Sequence, residues 1–253
     1  VLDSLGCEVI ELNCEPNGVF KRGTEPLPEN LKDLSNSVIN HKADAGFAID
    51  PDADRLAIVD ENGVPLGEEY TLVIAADGYI KSINKSDEKF VINLSTSMAL
   101  EKLGSKIGIH VERSAVGEIN VVNKMNDLNS NFGGEGNGGV ILRESHLGRD
   151  SLVAATLVLN RMAQSNRTLS SIFSSLPQYK IIKDKILIDN VDSDKLIDEA
   201  GSLFQDAEKS TIDGIKFTWD DKWIHIRKSN TEPIMRIYSE AKSEKLAQDL
   251  VTS

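Results

Sequence analysis

The sequence predicts an α/β chain: a partial and then a complete doubly wound α/β/α unit, followed by an α+β unit with an antiparallel sheet. Three observations carry this expectation. From Glu68 to Pro177 helix-like runs alternate with strand-like apolar runs, which implies a mostly parallel sheet covered by helices. After Gln178 the strands instead follow one another through short turns such as Asp220-Asp221, the pattern of an antiparallel sheet with helices on one face. The chain also opens inside a helix end, Val1 to Gly6, so its first unit is incomplete.

The elements are expected in this order. Residues 1–67 hold a helix end, a strand at Glu8 to Leu12, a Pro/Gly/Asn-rich loop to Pro28, a helix at Glu29 to Asn40, and strands at Ala45 to Ile49 and Leu56 to Asp60, turned by Glu61-Asn62-Gly63. Residues 68–177 hold an apolar-periodic helix from Glu69 to Ser82, then strand Phe90 to Leu94, helix Ser97 to Leu103, strand Lys106 to Glu112, helix Gly117 to Met125, a glycine-rich loop and helix Arg149 to Gln164. Residues 178–253 hold strand Lys180 to Ile188, helix Asp194 to Ala207, strands Gly214 to Trp219, Lys222 to Lys228 and Ile234 to Ala241, and helix Glu244 to Val251.

Composition removes several function classes. The 253 residues carry 28 basic and 40 acidic side chains, a net charge of -12, which argues against nucleic acid or an anionic membrane as partner. An anionic small molecule would have to be met locally by Arg55, Arg227, Lys228 and Arg236. No run of about 18 apolar residues is present to span a bilayer. Cys7 and Cys14 are the two cysteines, and across an extended segment they stand roughly 23 Å apart, too far for a disulfide. A reducing cytoplasm is therefore expected.

The segment Ala48-Ile49-Asp50-Pro51-Asp52-Ala53-Asp54-Arg55 carries the most chemistry. Three carboxylates at alternate positions, on a loop between two apolar runs, suit a hard divalent cation such as Mg2+, with an arginine directly behind for a phosphate. A solvated acidic turn is the plain alternative. Asp50, Asp52, Asp54 and Glu61 also match the ligand spacing of an EF-hand, but Arg55 stands where that loop needs glycine and strand follows instead of helix.

Two later segments add complementary groups. Phe132 to Ile141 places five glycines around Glu135 and Asn137, so the backbone can approach a polyol while the two side chains offer hydrogen bonds; a bare hairpin turn is the alternative. Ile226 to Arg236 packs Arg227, Lys228, Ser229, Asn230 and Thr231 into one turn between strands, a donor set for phosphate oxygens or a polar hairpin loop. An arginine at such a hairpin tip is expected to be solvent-exposed. The four histidines, at 41, 110, 146 and 225, lack ligand spacing and read as surface or satisfied core residues.

In this order and at these separations, the three segments resemble those of the α-D-phosphohexomutase superfamily, which includes phosphoglucosamine mutase, phosphomannomutase and phosphoglucomutase. Asp50 to Arg55 is similar to the family's metal loop, usually written D-G-D-G-D-R, Gly134 to Gly139 to its sugar loop, and Arg227 to Pro233 to its phosphate loop. The resemblance implies Mg2+ on Asp50, Asp52 and Asp54, Arg55 as the catalytic residue facing a phosphoserine, and Glu135 and Asn137 on sugar hydroxyls. Arg227, Ser229, Asn230 and Thr231 would hold the substrate's non-reacting phosphate, with Lys228 and Arg236 beside them. A phosphoserine would pass its phosphoryl group to a hexose monophosphate, the bisphosphate would reorient, and the other phosphate would return to the serine.

The resemblance begins partway into the family's second domain. No serine here stands in the family's S/T-A-S-H-N-P context, so the chain is expected to be the C-terminal portion of a longer protein, inactive without the serine domain as its partner. A non-catalytic Mg2+ and sugar-phosphate binder is the alternative from a different class. Ala115 falls where several members have a lysine proposed as general acid/base, Gly139 where many have His, and Asn137 where many have Ser. The form of the glycine-rich and phosphate loops looks closest to phosphoglucosamine mutases, with phosphomannomutase or phosphoglucomutase as the alternative.

Overall fold

A computed structural model of the protein describes residues 1–83, 88–188, 193–229 and 232–253. Helix α1 (Lys32–His41) packs against an antiparallel pair, β1 (Ala45–Ile49) and β2 (Leu56–Asp60), through Leu31, Val38, Ala48, Ala57 and Val59. The pairing of Ile49 with Leu56 makes the acidic segment the connection between the two strands. The strand expected at Glu8 to Leu12 does not form. A strand is stable only beside another, and no described strand lies next to this one; Val9, Ile10 and Leu12 are left partly exposed. The helix expected from Glu29 starts at Lys32, after a short 3-10 turn at Pro28–Asn30.

Helix α2 (Glu68–Ile80) is buried on nearly every side. Its sequence, Tyr70-Thr71-Leu72-Val73-Ile74-Ala75-Ala76, is apolar all round, and such a helix needs cover on all faces. That cover comes from β2, from helix α5, and from a mixed sheet of β3 (Lys89–Asn93), β4 (His110–Ser114), β5 (Phe132–Glu135) and β6 (Gly139–Leu142), in the order β4-β3-β5-β6. Pairs β3/β4 and β3/β5 are parallel, and β5/β6 is antiparallel. Tyr79, Phe90 and Phe132 meet at centroid distances of 4.7 to 5.9 Å in this core, and each aromatic pair adds about 0.5–1.5 kcal/mol beyond area burial.

Helix α3 (Ala99–Ser105) packs beside α2 and β4, while α4 (Glu118–Asp127) covers the opposite face of the sheet through Val121 and Met125. Helix α5 (Ser151–Ser165), capped by Asp150, lies along α2. A further helix, α6 (Leu169–Ser175), follows and was not expected; Thr168 caps its N-terminus, a signal present in the sequence. The strand expected from Lys106 begins at His110, because α3 runs on to Ser105 and Gly108, at φ 79°, turns the chain before pairing starts.

The C-terminal sheet is antiparallel, in the order β7 (Lys180–Leu187), β11 (Ile234–Ala241), β10 (Trp223–Lys228), β9 (Ile215–Thr218) and β8 (Glu208–Ser210). Helix α7 (Ser193–Ala200) ends well before the expected Ala207; residues 201–207 form turns, and β8 begins only after them, at Glu208. Alternation along β10 decides the sheet's two faces. Ile224 and Ile226 join Ile215, Phe217, Ile237 and Leu250, the last from helix α8 (Glu244–Thr252), in an apolar layer. Trp223, His225 and Arg227 point the other way.

That second face meets the β3–α3 turn through buried polar groups. Glu240 accepts hydrogen bonds from Ser97 Oγ, from Met98 N at 2.8 Å and from Trp223 Nε1 at 2.5 Å. Lys216, 1 % exposed, donates to Leu94 O at 2.5 Å and lies 4.3 Å from the Trp223 ring centroid. Among the described residues no helix is long and apolar enough to cross a membrane.

Candidate functional site

Asp50 organises the acidic loop. Its Oδ1 accepts the backbone N–H groups of Asp54 and Arg55, both at 3.1 Å, and its Oδ2 accepts Arg55 Nε at 2.5 Å. Burial opposes its charge, yet the Arg55 backbone and guanidinium hold the Asp50 carboxyl below its ordinary range. Asp52 is exposed. Burial pushes Asp54 upward, against the pull of Arg149 and with Asp50 and Asp52 adding to the rise. Ala53 sits at φ 61°, a left-handed conformation that costs a non-glycine residue on the order of 1–3 kcal/mol.

Carboxylate oxygens of Asp50, Asp52 and Asp54 all lie within 4.8 Å of one another, and Asp54 Oδ1 is buried with no hydrogen-bond partner among the described residues. An all-carboxylate donor set with an unfilled buried oxygen fits a hard divalent cation. Arg55 turns its terminal nitrogens to Glu25, at 2.7 and 3.3 Å, so the arginine assigned to a phosphoryl group is held between two carboxylates.

The glycine-rich segment is the β5–β6 hairpin. Its turn is pinned to the acidic loop's far end, where Leu56 N donates to Gly138 O at 3.0 Å. Gly138 has φ 91°, and a Cβ there would lie 2.5 Å from Leu56 O, so only glycine fits. Glu135, 3 % exposed, accepts from Asn93 Nδ2 at 2.7 Å, Gly117 N at 3.0 Å and Arg149 Nη1 at 2.9 Å. Asn137 Oδ1 accepts from Gly139 N at 3.2 Å, and Asn137 lines the cleft.

Arg149 was not singled out by the sequence, yet it ties the first two segments together. Its Nη2 pairs with Asp54 and its Nη1 with Glu135, while Glu118 accepts its backbone N–H at 2.7 Å. Gly139 makes room for it, since a Cβ there would sit 2.3 Å from Arg149 Cδ. No local pattern around Arg149 marks this role, because both of its acidic partners are distant in sequence.

The third segment is the β10–β11 connection. Arg227 and Arg236 are directly paired across the two strands, so both guanidiniums share one face of the sheet. Arg227 is 9 % exposed, not the solvent-exposed tip residue expected, because strand alternation turns it toward the β3–α3 turn. Its Nε has no hydrogen-bond partner among the described residues, and its Nη1 donates to Lys228 O at 3.3 Å. Arg236 donates to Glu232 at 2.8 Å and to Tyr238 Oη at 3.1 Å. Ser229 is buried, and its N–H donates to Ile234 O at 2.9 Å. Lys228 is exposed, one residue out of phase with Arg227, and is absent from the cleft lining. Asn230 and Thr231 lie outside the described residues.

One cleft of about 340 Å³ joins the three segments: Arg55, Glu135, Asn137, Arg227 and Arg236 all line it. Glu69 and Lys183 lie on its wall, where Lys183 Nζ pairs with Glu68 and, at 2.7 Å, with Glu69. Burial pushes the Glu69 carboxyl from 4.5 up to about 7, outweighing the pull of Lys183. A raised carboxyl pKa means that the folded state holds the proton more tightly. Its contribution to stability is therefore full below about pH 4.5 and lost as pH rises through about 7. Glu69→Gln is expected to flatten the fall in unfolding free energy over that window, read by urea unfolding at a series of pH values; an unchanged slope would refute the assignment.

The fold and the site together define an α/β scaffold with one charged cleft between its segments, and comparison with known proteins gives its family. The models described as phosphoglucomutase/phosphomannomutase alpha/beta/alpha domain II, alpha/beta/alpha domain III and C-terminal domain match residues 1–63, 67–179 and 189–253. The chain belongs to the α-D-phosphohexomutase superfamily.

It is 36 % identical over 255 residues to a phosphoglucomutase/phosphomannomutase of Thermococcus kodakarensis, covering 98 % of this chain and 55 % of that protein. It is 33 % identical to a probable phosphoglucosamine mutase of Methanopyrus kandleri, over 99 % of this chain and 56 % of the relative. The chain thus spans little more than half the length of these relatives. A solved phosphoglucomutase/phosphomannomutase family structure from Burkholderia thailandensis superposes with a TM-score of 0.83 at 24 % identity, over 99 % of this chain and 54 % of that one, a likeness of fold.

Proposed function

We propose that the chain forms the metal-, sugar- and phosphate-binding part of a phosphohexomutase that interconverts hexose 6-phosphate and hexose 1-phosphate, with glucosamine phosphates preferred. The observation that carries this is the single cleft lined by Arg55, by Glu135 and Asn137, and by Arg227 and Arg236. Three units, 1–67, 68–177 and 178–253, each bring one segment to it. Asp50, Asp52 and Asp54 would hold Mg2+, which when bound neutralises charge on a transferring phosphoryl group. Arg55 meets the same group in exchange for Glu25. Asn137 donates to a sugar hydroxyl, with Glu135 as acceptor through whichever lone pair Asn93, Gly117 and Arg149 leave open. Arg227, Arg236, Ser229, Asn230 and Thr231 hold the far phosphate, and Lys228 adds charge from outside.

Phosphoglucosamine specificity is supported by the relatives so named, among them a phosphoglucosamine/phosphogalactosamine mutase of Sulfurisphaera tokodaii, 32 % identical over 256 residues. The Thermococcus relative's name supports neutral hexose phosphates as the second reading. A structure titled as an Aspergillus fumigatus mutase with GlcNAc-6P and magnesium lends its chemistry to the metal assignment. A cytoplasmic setting agrees with Cys7 and Cys14, both free. Coupled assays of glucosamine, mannose and glucose 6-phosphates on the protein joined to a serine-bearing first domain test the specificity. The amino sugar is expected to turn over fastest, and a preference for mannose 6-phosphate would move the assignment to phosphomannomutase.

A further inference from the structure

Ser95 lines the cleft beside Asn93, Glu135 and Arg227, and neither its hydroxyl nor its neighbour His225 has a part in the sites above. The Ser95 backbone is fixed, its N–H donating to Asn93 Oδ1 at 2.9 Å. Ser95 Oγ lies 2.9 Å from His225 Nδ1, and His225 Nε2 lies 2.7 Å from Asp213 O. A backbone carbonyl only accepts, so Nε2 carries the imidazole proton. His225 is 1 % exposed, and burial above all, with the basic side chains Lys216, Arg227 and Arg113 adding to it, keeps it neutral and pushes its pKa down to about 3. Nδ1 is then a bare lone pair. The Ser95 hydroxyl must give its only proton to it, which leaves Ser95 Oγ with lone pairs alone to present to the cleft.

We propose that Ser95 is a specificity-determining residue that accepts a hydrogen bond from an O–H or N–H group on the sugar, with His225 as the positioning residue that fixes this polarity. This rests on the reading of the cleft as a sugar-phosphate site and adds the direction of one contact. A serine in this state is closed to the ionised oxygens of a phosphate group, which only accept. It therefore sorts the two ends of the ligand: the phosphate goes to the arginines of β10 and β11, and a donor group of the ring faces the β3–α3 turn.

Calorimetric titration of the 253-residue chain with glucosamine 6-phosphate, and separately with inorganic sulfate, a tetrahedral anion whose oxygens only accept, tests the contact. Ser95→Ala should weaken the sugar phosphate about 3- to 10-fold, the range for one neutral hydrogen bond, and leave inorganic sulfate unchanged. Equal losses for both probes, or no loss for the sugar phosphate, would overturn the proposal while leaving the cleft assignment standing. Failure of the unmodified chain to bind the sugar phosphate would overturn the cleft assignment and this contact with it. Nitrogen-15 NMR of the histidines reads the tautomer without any ligand. A pyridine-type Nδ1 on His225 near neutral pH is the expected result, and a protonated Nδ1 would overturn the proposal even if His225 variants do not fold.

Discussion

Arg227→Ala is expected to lower kcat/KM about 30- to 1000-fold in the protein joined to a serine-bearing first domain, equivalent to about 2–4 kcal/mol of lost transition-state stabilisation under the proposed function. The expectation follows from how poorly the guanidinium is paired. It is 9 % exposed and its Nε has no hydrogen-bond partner among the described residues. No carboxylate among the described residues pairs with it. A cation held out of water with no carboxylate partner among the described residues becomes fully paired when a phosphate arrives. Its removal should therefore change the thermal midpoint little, or raise it, because an uncompensated charge is taken away. A large fall in Tm with near-normal kcat/KM in the folded remainder would show that Arg227 supports the hairpin and that the phosphate is held elsewhere.

Arg149→Met should have the largest effect on stability, a loss of about 2–4 kcal/mol, since it leaves Asp54 and Glu135 in a poorly solvated place without their shared cation. Methionine keeps most of the packing volume, so the loss reports the charge. Millimolar Mg2+ should restore part of it, because a divalent ion among Asp50, Asp52 and Asp54 replaces the missing positive charge. Urea unfolding with and without Mg2+ measures both effects. A loss below about 0.5 kcal/mol would mean that Arg149 acts as an ordinary surface ion pair.

What could be read from the sequence was whatever local periodicity or spacing encodes. The β1 and β2 runs, the apolar α2 and the alternation along β10 each appear within a few residues, and the elements form where that pattern lies. The Asp50-Asp52-Asp54 grouping was legible for the same reason. Arg149 was not, because Asp54 and Glu135 lie 95 and 14 residues away from it. Arg227 was placed in the right segment with the wrong exposure, since burial at a strand end depends on what the sheet's face meets. The strand expected at Glu8 to Leu12 had the right composition, but strand formation needs a neighbour that a local pattern does not supply. Ser95 gave no signal, as its character comes from His225, 130 residues away.

The buried contacts between the C-terminal sheet and the β3–α3 turn bear on how the chain comes apart. Glu240, Lys216 and His225 each have their hydrogen-bonding or charge needs met across that boundary. Were the sheet to detach while the rest stayed folded, Ser97, Met98 and Leu94 would lose partners at the same moment as the sheet's own ionisable groups. Intermediates with one half melted are therefore disfavoured, and residues 68–253 should denature in a single cooperative step despite containing two separate sheets.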